Sequence, residues 1–149
     1  MNFIQVSKTD CIFYCEDKKL YLRYGDKNSK HSKFLIKNSL TSELYVKGWA
    51  LEGMLLRHLV DEEPKGFNIV LVSTNLSKNF IGLLFTQYLE EKPGGKTGTM
   101  YFVKDEYRRK GIASMMIEFC KFKKLPIGLG MKGIDGSELF FKEHDIDLA

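Results

Sequence analysis

Apolar and polar residues alternate through the first part of the chain. "CIFYC" and "LYLRY" flank the polar "EDKK", the pattern of two strands joined as a hairpin, and "KFLIK" after the polar "GDKNSKHS" predicts another strand. From Thr41 to Val60 the period changes. Leu51, Met54, Leu55 and Leu59 recur at three and four, which predicts a helix that Gly48 and Gly53 bend or split, and "EEPKG" stops it. Three more strand-like runs follow, "FNIVLVS", "NFIGLLFTQYL" and "KTGTMYFV", separated by the turn-like "TNLSK" and "EEKPGG" and so predicted to pair as an antiparallel meander. At Ile112 the pattern turns helical again, with Ile112, Met115, Met116 and Phe119 on one face and Lys121, Lys123 and Lys124 at the negative end before Pro126. "PIGLGM" predicts a short strand and "GSELFFKEHDI" a short last helix. This order of strands and helices predicts an α+β domain.

Composition narrows the classes. The chain has 149 residues with 44% hydrophobic content and 13% aromatics, enough for one domain with a real core, and it contains no repeat or low-complexity tract. "MNFIQVSKTD" lacks the apolar run of a signal peptide, and "FIGLLF" is too short to span a bilayer, so a soluble, cytoplasmic protein is expected. Cys11, Cys15 and Cys120 form neither a metal-ligand nor a disulfide pattern and read as free thiols, the first two in a strand-like run. The net charge of +4 suits an anionic ligand or acidic partner but is modest for a nucleic-acid binder. His31, His58 and His144 lack ligand-like spacing, and His31 and His144 read as exposed. Trp49 reads as core. "PGGKTG" imitates a phosphate-binding loop, but that motif needs a glycine where Glu90 stands and a helix where "TMYFV" reads as strand, so a hairpin connection is expected.

The chemistry concentrates at Tyr107 to Ser114, "YRRKGIAS", where a strand runs into a helix through a basic, glycine-containing turn. Two of the chain's four arginines, Arg108 and Arg109, stand there side by side. The first amides of a helix lack internal acceptors and the macrodipole adds roughly half a positive charge, so the stretch suits a phosphate or pyrophosphate. Gly111 lets a ligand approach the backbone, Ala113 is small, and Arg108 can offer a bidentate contact that a lysine cannot.

In this context "VKDEYRRKGIAS" resembles the acyl-coenzyme A signature of the GNAT N-acyltransferase superfamily, Q/RxxGxG/A, with Arg108, Gly111 and Ala113 in the three signature places. The wider element order from about residue 41 to 146 is similar too. The resemblance implies a mixed, mostly antiparallel central sheet flanked by helices, with acetyl-coenzyme A or another acyl-coenzyme A as co-substrate. It implies that the segment Arg109, Lys110, Gly111, Ile112, Ala113 and Ser114 holds the pyrophosphate through its amides. Phe102 and Val103 would pair through their backbone with the pantetheine arm, a form of β-augmentation.

Three positions depart from the family pattern. Many members carry a tyrosine in the short last helix that protonates the leaving thiolate, where this chain has Phe141 or Phe140. Some carry a glutamate at the start of the signature strand, where this chain has Thr97. The usual last two strands are lacking, so the acceptor side is open or completed by a second copy in a homodimer. Without a strong base the site suits a less basic amine, because deprotonating a lysine amine at pH 7 costs about 4 to 5 kcal/mol against about 1 for an α-amine. Glu90, Glu91 and Asp135 are the carboxylates that a water chain could reach. The resemblance therefore implies acyl transfer to an amine, on a small molecule or a protein, by direct attack in a ternary complex, with no catalytic residue assigned. The rival is a non-catalytic coenzyme A-binding or partner-binding protein on the same fold.

Overall fold

The computed structural model describes residues 1–8, 11–26, 68–76, 80–89, 96–130 and 137–148. Among the described residues seven strands run in the order β1 (Phe3–Ser7), β2 (Ile12–Cys15), β3 (Leu20–Asp26), β4 (Asn68–Ser73), β5 (Phe80–Leu89), β6 (Lys96–Val103) and β7 (Leu129–Gly130), and they lie side by side in that same order. Every pair is antiparallel except β6 with β7. Helix α1 (Ile112–Lys123) carries the parallel crossover from β6 to β7, and α2 (Ser137–Glu143) follows β7. The expected hairpin, meander, signature helix, short strand and last helix are all present, whereas β1 falls in a stretch that the alternation did not single out. The expected strand at "KFLIK", the helix from Thr41 to Val60, and Trp49, His31, His58, Glu90, Glu91 and Asp135 lie outside the described residues.

The core forms where α1 lies across one face of the sheet. Ile112, Met115, Met116, Ile117, Phe119 and Cys120 are all buried, at the spacing that keeps one side of the helix inward. Its first turn sits on Gly82 of β5, where a β-carbon would come 3.1 Å from Ile112 Cγ2. Its second half rests on an aromatic cluster from the amino-terminal strands, with Phe119 ring centroids 5.3 Å from those of both Phe3 and Phe13. β1 thus contributes Phe3 to the same core as the signature helix, and the burial of that ring and its neighbours stabilises the helix that positions the loop. Lys124 takes a left-handed φ of 56° just after the helix, and Leu125 N–H donates back to Cys120 O at 2.8 Å, closing the last turn.

Helix α2 ends in the same way. Asp145 is left-handed at φ 58°, its N–H donates to Lys142 O at 3.1 Å, and Ile146 N–H donates to Phe141 O at 2.8 Å. Beyond it Gly130 N–H donates to Asp147 O, and Leu148 makes an isolated parallel bridge with Gly130. Among the described residues no strand continues the sheet past β7 beyond that bridge.

Candidate functional site

The ladder between β5 and β6 decides which backbone groups of β6 face outward. Lys104 N–H donates to Ile81 O at 2.9 Å, and the register runs from there through Gly82↔Val103, Leu83↔Phe102 and Leu84↔Tyr101. Antiparallel pairs alternate between hydrogen-bonded and not, so the peptide groups of Phe102 face β5 while those of Tyr101 and Val103 face away from it. On that side β7 meets β6 only at Gly98 and Thr99. Among the described residues the edge from Tyr101 to Val103 therefore has no strand beside it. Gly128 N–H donates to Thr99 Oγ1 at 2.9 Å and closes the paired end of this wedge.

The chain leaves β6 through a single turn of 3₁₀ helix at Asp105–Tyr107 and then the basic turn. Arg108 spans both. Its Nε donates to Val103 O at 2.9 Å, its Nη1 pairs with Asp105 Oδ1 at 3.0 Å, and its guanidinium lies over the Phe102 ring at 5.5 Å. The sequence suggested this side chain as a bidentate phosphate ligand. It instead binds the last strand carbonyl and the 3₁₀ turn, because these acceptors lie within reach of the guanidinium.

Arg109 and Gly111 both have left-handed backbones, at φ 62° and 76°, with an ordinary residue between them. Such alternation is the conformation that makes anion-binding concavities from successive amides. Gly111 precedes α1 with no side-chain cap, and the first amide to find its acceptor in this turn is Met115 N–H, donating to Gly111 O at 3.0 Å. The amides of Ile112, Ala113 and Ser114 come before that bond, so helix geometry gives them no acceptor. A β-carbon on Gly111 would also meet Lys18 Nζ at 2.9 Å, since the β2–β3 turn brings that lysine over the loop.

Edge and loop open into one cleft of about 550 Å³. Of the residues singled out in the sequence, Val103, Arg108, Arg109, Gly111, Ile112, Ala113 and Ser114 line it, joined by Tyr101, Tyr107 and Phe140. Phe102 and Lys110 do not. Phe102 points to the other face of the sheet by strand alternation, and Lys110 Nζ lies 5.4 Å above the Tyr107 ring.

The two phenylalanines of helix α2 face different surroundings. Phe141 is fully buried against Gly130, where a β-carbon would collide with its ring. Phe140 lines the cleft, its ring 4.6 Å from that of Tyr101. Tyr101 is half-buried, and burial raises its phenol above the usual 10.0, with Arg108 pulling weakly the other way. The phenol therefore keeps its proton at neutral pH.

His144 is a correction to the sequence reading. Rather than lying exposed, it is half-buried with Nε2 3.0 Å from Ser114 Oγ and its ring 4.7 Å from that of Phe140. Thirty positions separate it from Ser114, and no local spacing rule links them. Tyr101 was also missed, although strand alternation from Val103 was the signal that could have found it.

No known protein family and no curated protein matches the chain by sequence. Solved structures match its fold. A predicted acetyltransferase with acetyl-CoA from Clostridium acetobutylicum aligns with a TM-score of 0.52 over 87% of this chain and 91% of its own, at 14% identity. A GCN5-related N-acetyltransferase from Ralstonia eutropha JMP134 aligns with a TM-score of 0.51 over 87% and 94%, at 7% identity. The chain has the GNAT fold.

Proposed function

We propose that this GNAT-fold chain is an acyl-coenzyme A-dependent N-acyltransferase, acting in the cytoplasm on an amine of a small molecule or protein. One observation carries the reading: an uncapped helix start and a strand edge with no strand beside it among the described residues open into the same cleft. The two suit the two halves of one ligand. The amides of Ile112, Ala113 and Ser114 would hold a pyrophosphate, helped by the helix dipole and by Arg109 and Lys18 beside them. The Tyr101 N–H and C=O and the Val103 N–H would pair with the amides of a pantetheine arm, Val103 O being held by Arg108, so the backbone role first given to Phe102 moves to Tyr101.

The donor, when bound, supplies an activated thioester, and the residues of the chain need only orient it and manage protons. In the overall step a C–N bond forms to the acceptor amine, the C–S bond breaks, and the proton that the amine loses must reach the thiolate or the solvent. Phe140 stands at the cleft where the family carries its tyrosine, and a phenyl ring donates no proton. The Tyr101 ring packs against it and brings a phenol to the same cleft, and we assign Tyr101 as the group that donates a proton to the leaving sulfur. Phe140 also favours a second reading, a coenzyme A-binding protein without turnover. Release of free thiol from acetyl-coenzyme A in the presence of an amine pool separates the two.

The reading is tested by thermal unfolding with and without acetyl-coenzyme A, on wild type and on Gly111→Glu, which places a carboxylate at the loop. A ligand at a hundred times its dissociation constant adds about 2.7 kcal/mol, a shift on the order of 5 to 15 °C for a domain of this size. A shift in wild type that a folded Gly111→Glu loses supports the site. No shift at millimolar coenzyme overturns it.

A further inference from the structure

We infer that His144 is a positioning residue for the coenzyme site: it holds the Ser114 hydroxyl so that the serine proton is presented to the cleft and to the phosphate bound there. The inference rests on the acyltransferase reading and adds a residue that the resemblance does not supply. Ser114 lines the cleft in the first turn of α1, and its Oγ lies 3.0 Å from His144 Nε2.

A serine hydroxyl has one proton and two lone pairs, so the direction of this hydrogen bond decides what the cleft meets. If Ser114 donates to Nε2, the oxygen turns only lone pairs toward the cleft, and these repel an anion. If Nε2–H donates to Oγ, the serine proton is free to donate to an anionic oxygen, beside the amides of Ile112 and Ala113. A phosphate in the cleft therefore selects the arrangement in which His144 is the donor. The resulting chain runs from imidazole to hydroxyl to anion, with each bond polarising the next.

The fold holds the imidazole in place. His144 N–H donates to both Phe140 O at 3.3 Å and Phe141 O at 3.2 Å, and the left-handed Asp145 ends the helix immediately after it. Its ring rests on Phe140, and the buried Phe141 next to it in sequence fixes α2 against β7. The ring nitrogen thus stands behind the cleft-lining Ser114, within hydrogen-bond distance of its hydroxyl.

The test is calorimetric titration of acetyl-coenzyme A into wild type, Ser114→Ala, His144→Ala, the double variant and His144→Gln, each checked for an unchanged melting profile. Each alanine variant should weaken binding about tenfold, the effect of one lost hydrogen bond to a charged group. The double variant should bind no worse than Ser114→Ala alone, because His144 acts only through Ser114. His144→Gln, whose side-chain amide can still donate to Oγ, should stay within about threefold of wild type. Unchanged affinity in His144→Ala overturns the inference, as do losses that multiply in the double variant. Wild type that fails to bind the coenzyme at all removes the acyltransferase reading instead, so the two failures are distinct.

Discussion

Phe141 packs against Gly130, in a space that exists only because Gly130 has no side chain: a β-carbon there would collide with the ring. This contact joins α2 to the two-residue strand β7 and sets how far Phe140 and His144 stand from the cleft. Gly130→Ala should therefore destabilise by about 1 to 3 kcal/mol through overpacking, lowering Tm by roughly 5 to 10 °C. Phe141→Leu in that background should recover part of the loss, since the two sites touch and their effects are not additive. Differential scanning calorimetry of wild type and the two variants checks both statements.

Arg108 is the second joint. Its Nε bond to Val103 O and its pair with Asp105 fold the loop back onto the strand end. Lysine keeps the charge but cannot span two acceptors with a planar fork, so Arg108→Lys should weaken acetyl-coenzyme A binding about five- to tenfold. Asp105→Asn should cost less, because that pair is solvent-exposed and such pairs contribute little. Titration calorimetry on both variants ranks them, and equal affinities would mean that the guanidinium does not shape the loop.

How much of this was legible in the sequence depends on the range of the interaction. Ile112 to Phe119 announced α1 by local period, and "RRKG" announced an uncapped helix start because both are encoded within a few residues. For Arg108, sequence shows the charge but not the bond to the carbonyl of Val103 five residues back. The open edge at Tyr101 was hidden because strand alternation gives faces but not the register with β5. Ser114 with His144 was hidden altogether, since the pairing depends on where α2 lands after a crossover. β1 was overlooked for a similar reason. In "FIQVS" the alternating Ile4 and Val6 are exposed, and Phe3, out of phase with them, becomes a core residue only when Phe13 and Phe119 close on it.

The three thiols should differ in reactivity. Cys15 and Cys120 are buried, Cys11 is half-exposed, and burial pushes the Cys120 thiol up to about 12. Native protein at pH 8 should alkylate quickly at Cys11 alone, and all three should react after denaturation. Cys120 also sets a sign for alkaline stability. Its folded pKa is raised above the unfolded 9.0, so the stability it contributes is complete below pH 9 and is lost as pH climbs toward 12. Cys120→Ala should flatten that alkaline loss in urea titrations made between pH 8 and 10.5.

Tyr101 gives the sharpest test of catalysis. If its phenol protonates the leaving sulfur, Tyr101→Phe should cut the rate of thiol release about 10²-fold or more while leaving coenzyme affinity nearly unchanged, because the backbone pairing and the ring both remain. The raised phenol pKa fixes the pH behaviour: the donor is protonated throughout the neutral range, so Tyr101 should cause no fall in kcat below pH 9, and its contribution should disappear only above pH 10. A control comes from the neighbouring ring. Phe140 lies 4.6 Å from Tyr101, centroid to centroid, and on the same cleft wall, so Phe140→Tyr in the Tyr101→Phe background returns a phenol to the site from the helix side. Partial recovery of kcat in that double variant would show that the site needs a phenol proton and not this particular strand residue. Full activity in Tyr101→Phe alone would remove Tyr101 from the chemistry and leave solvent as the proton source.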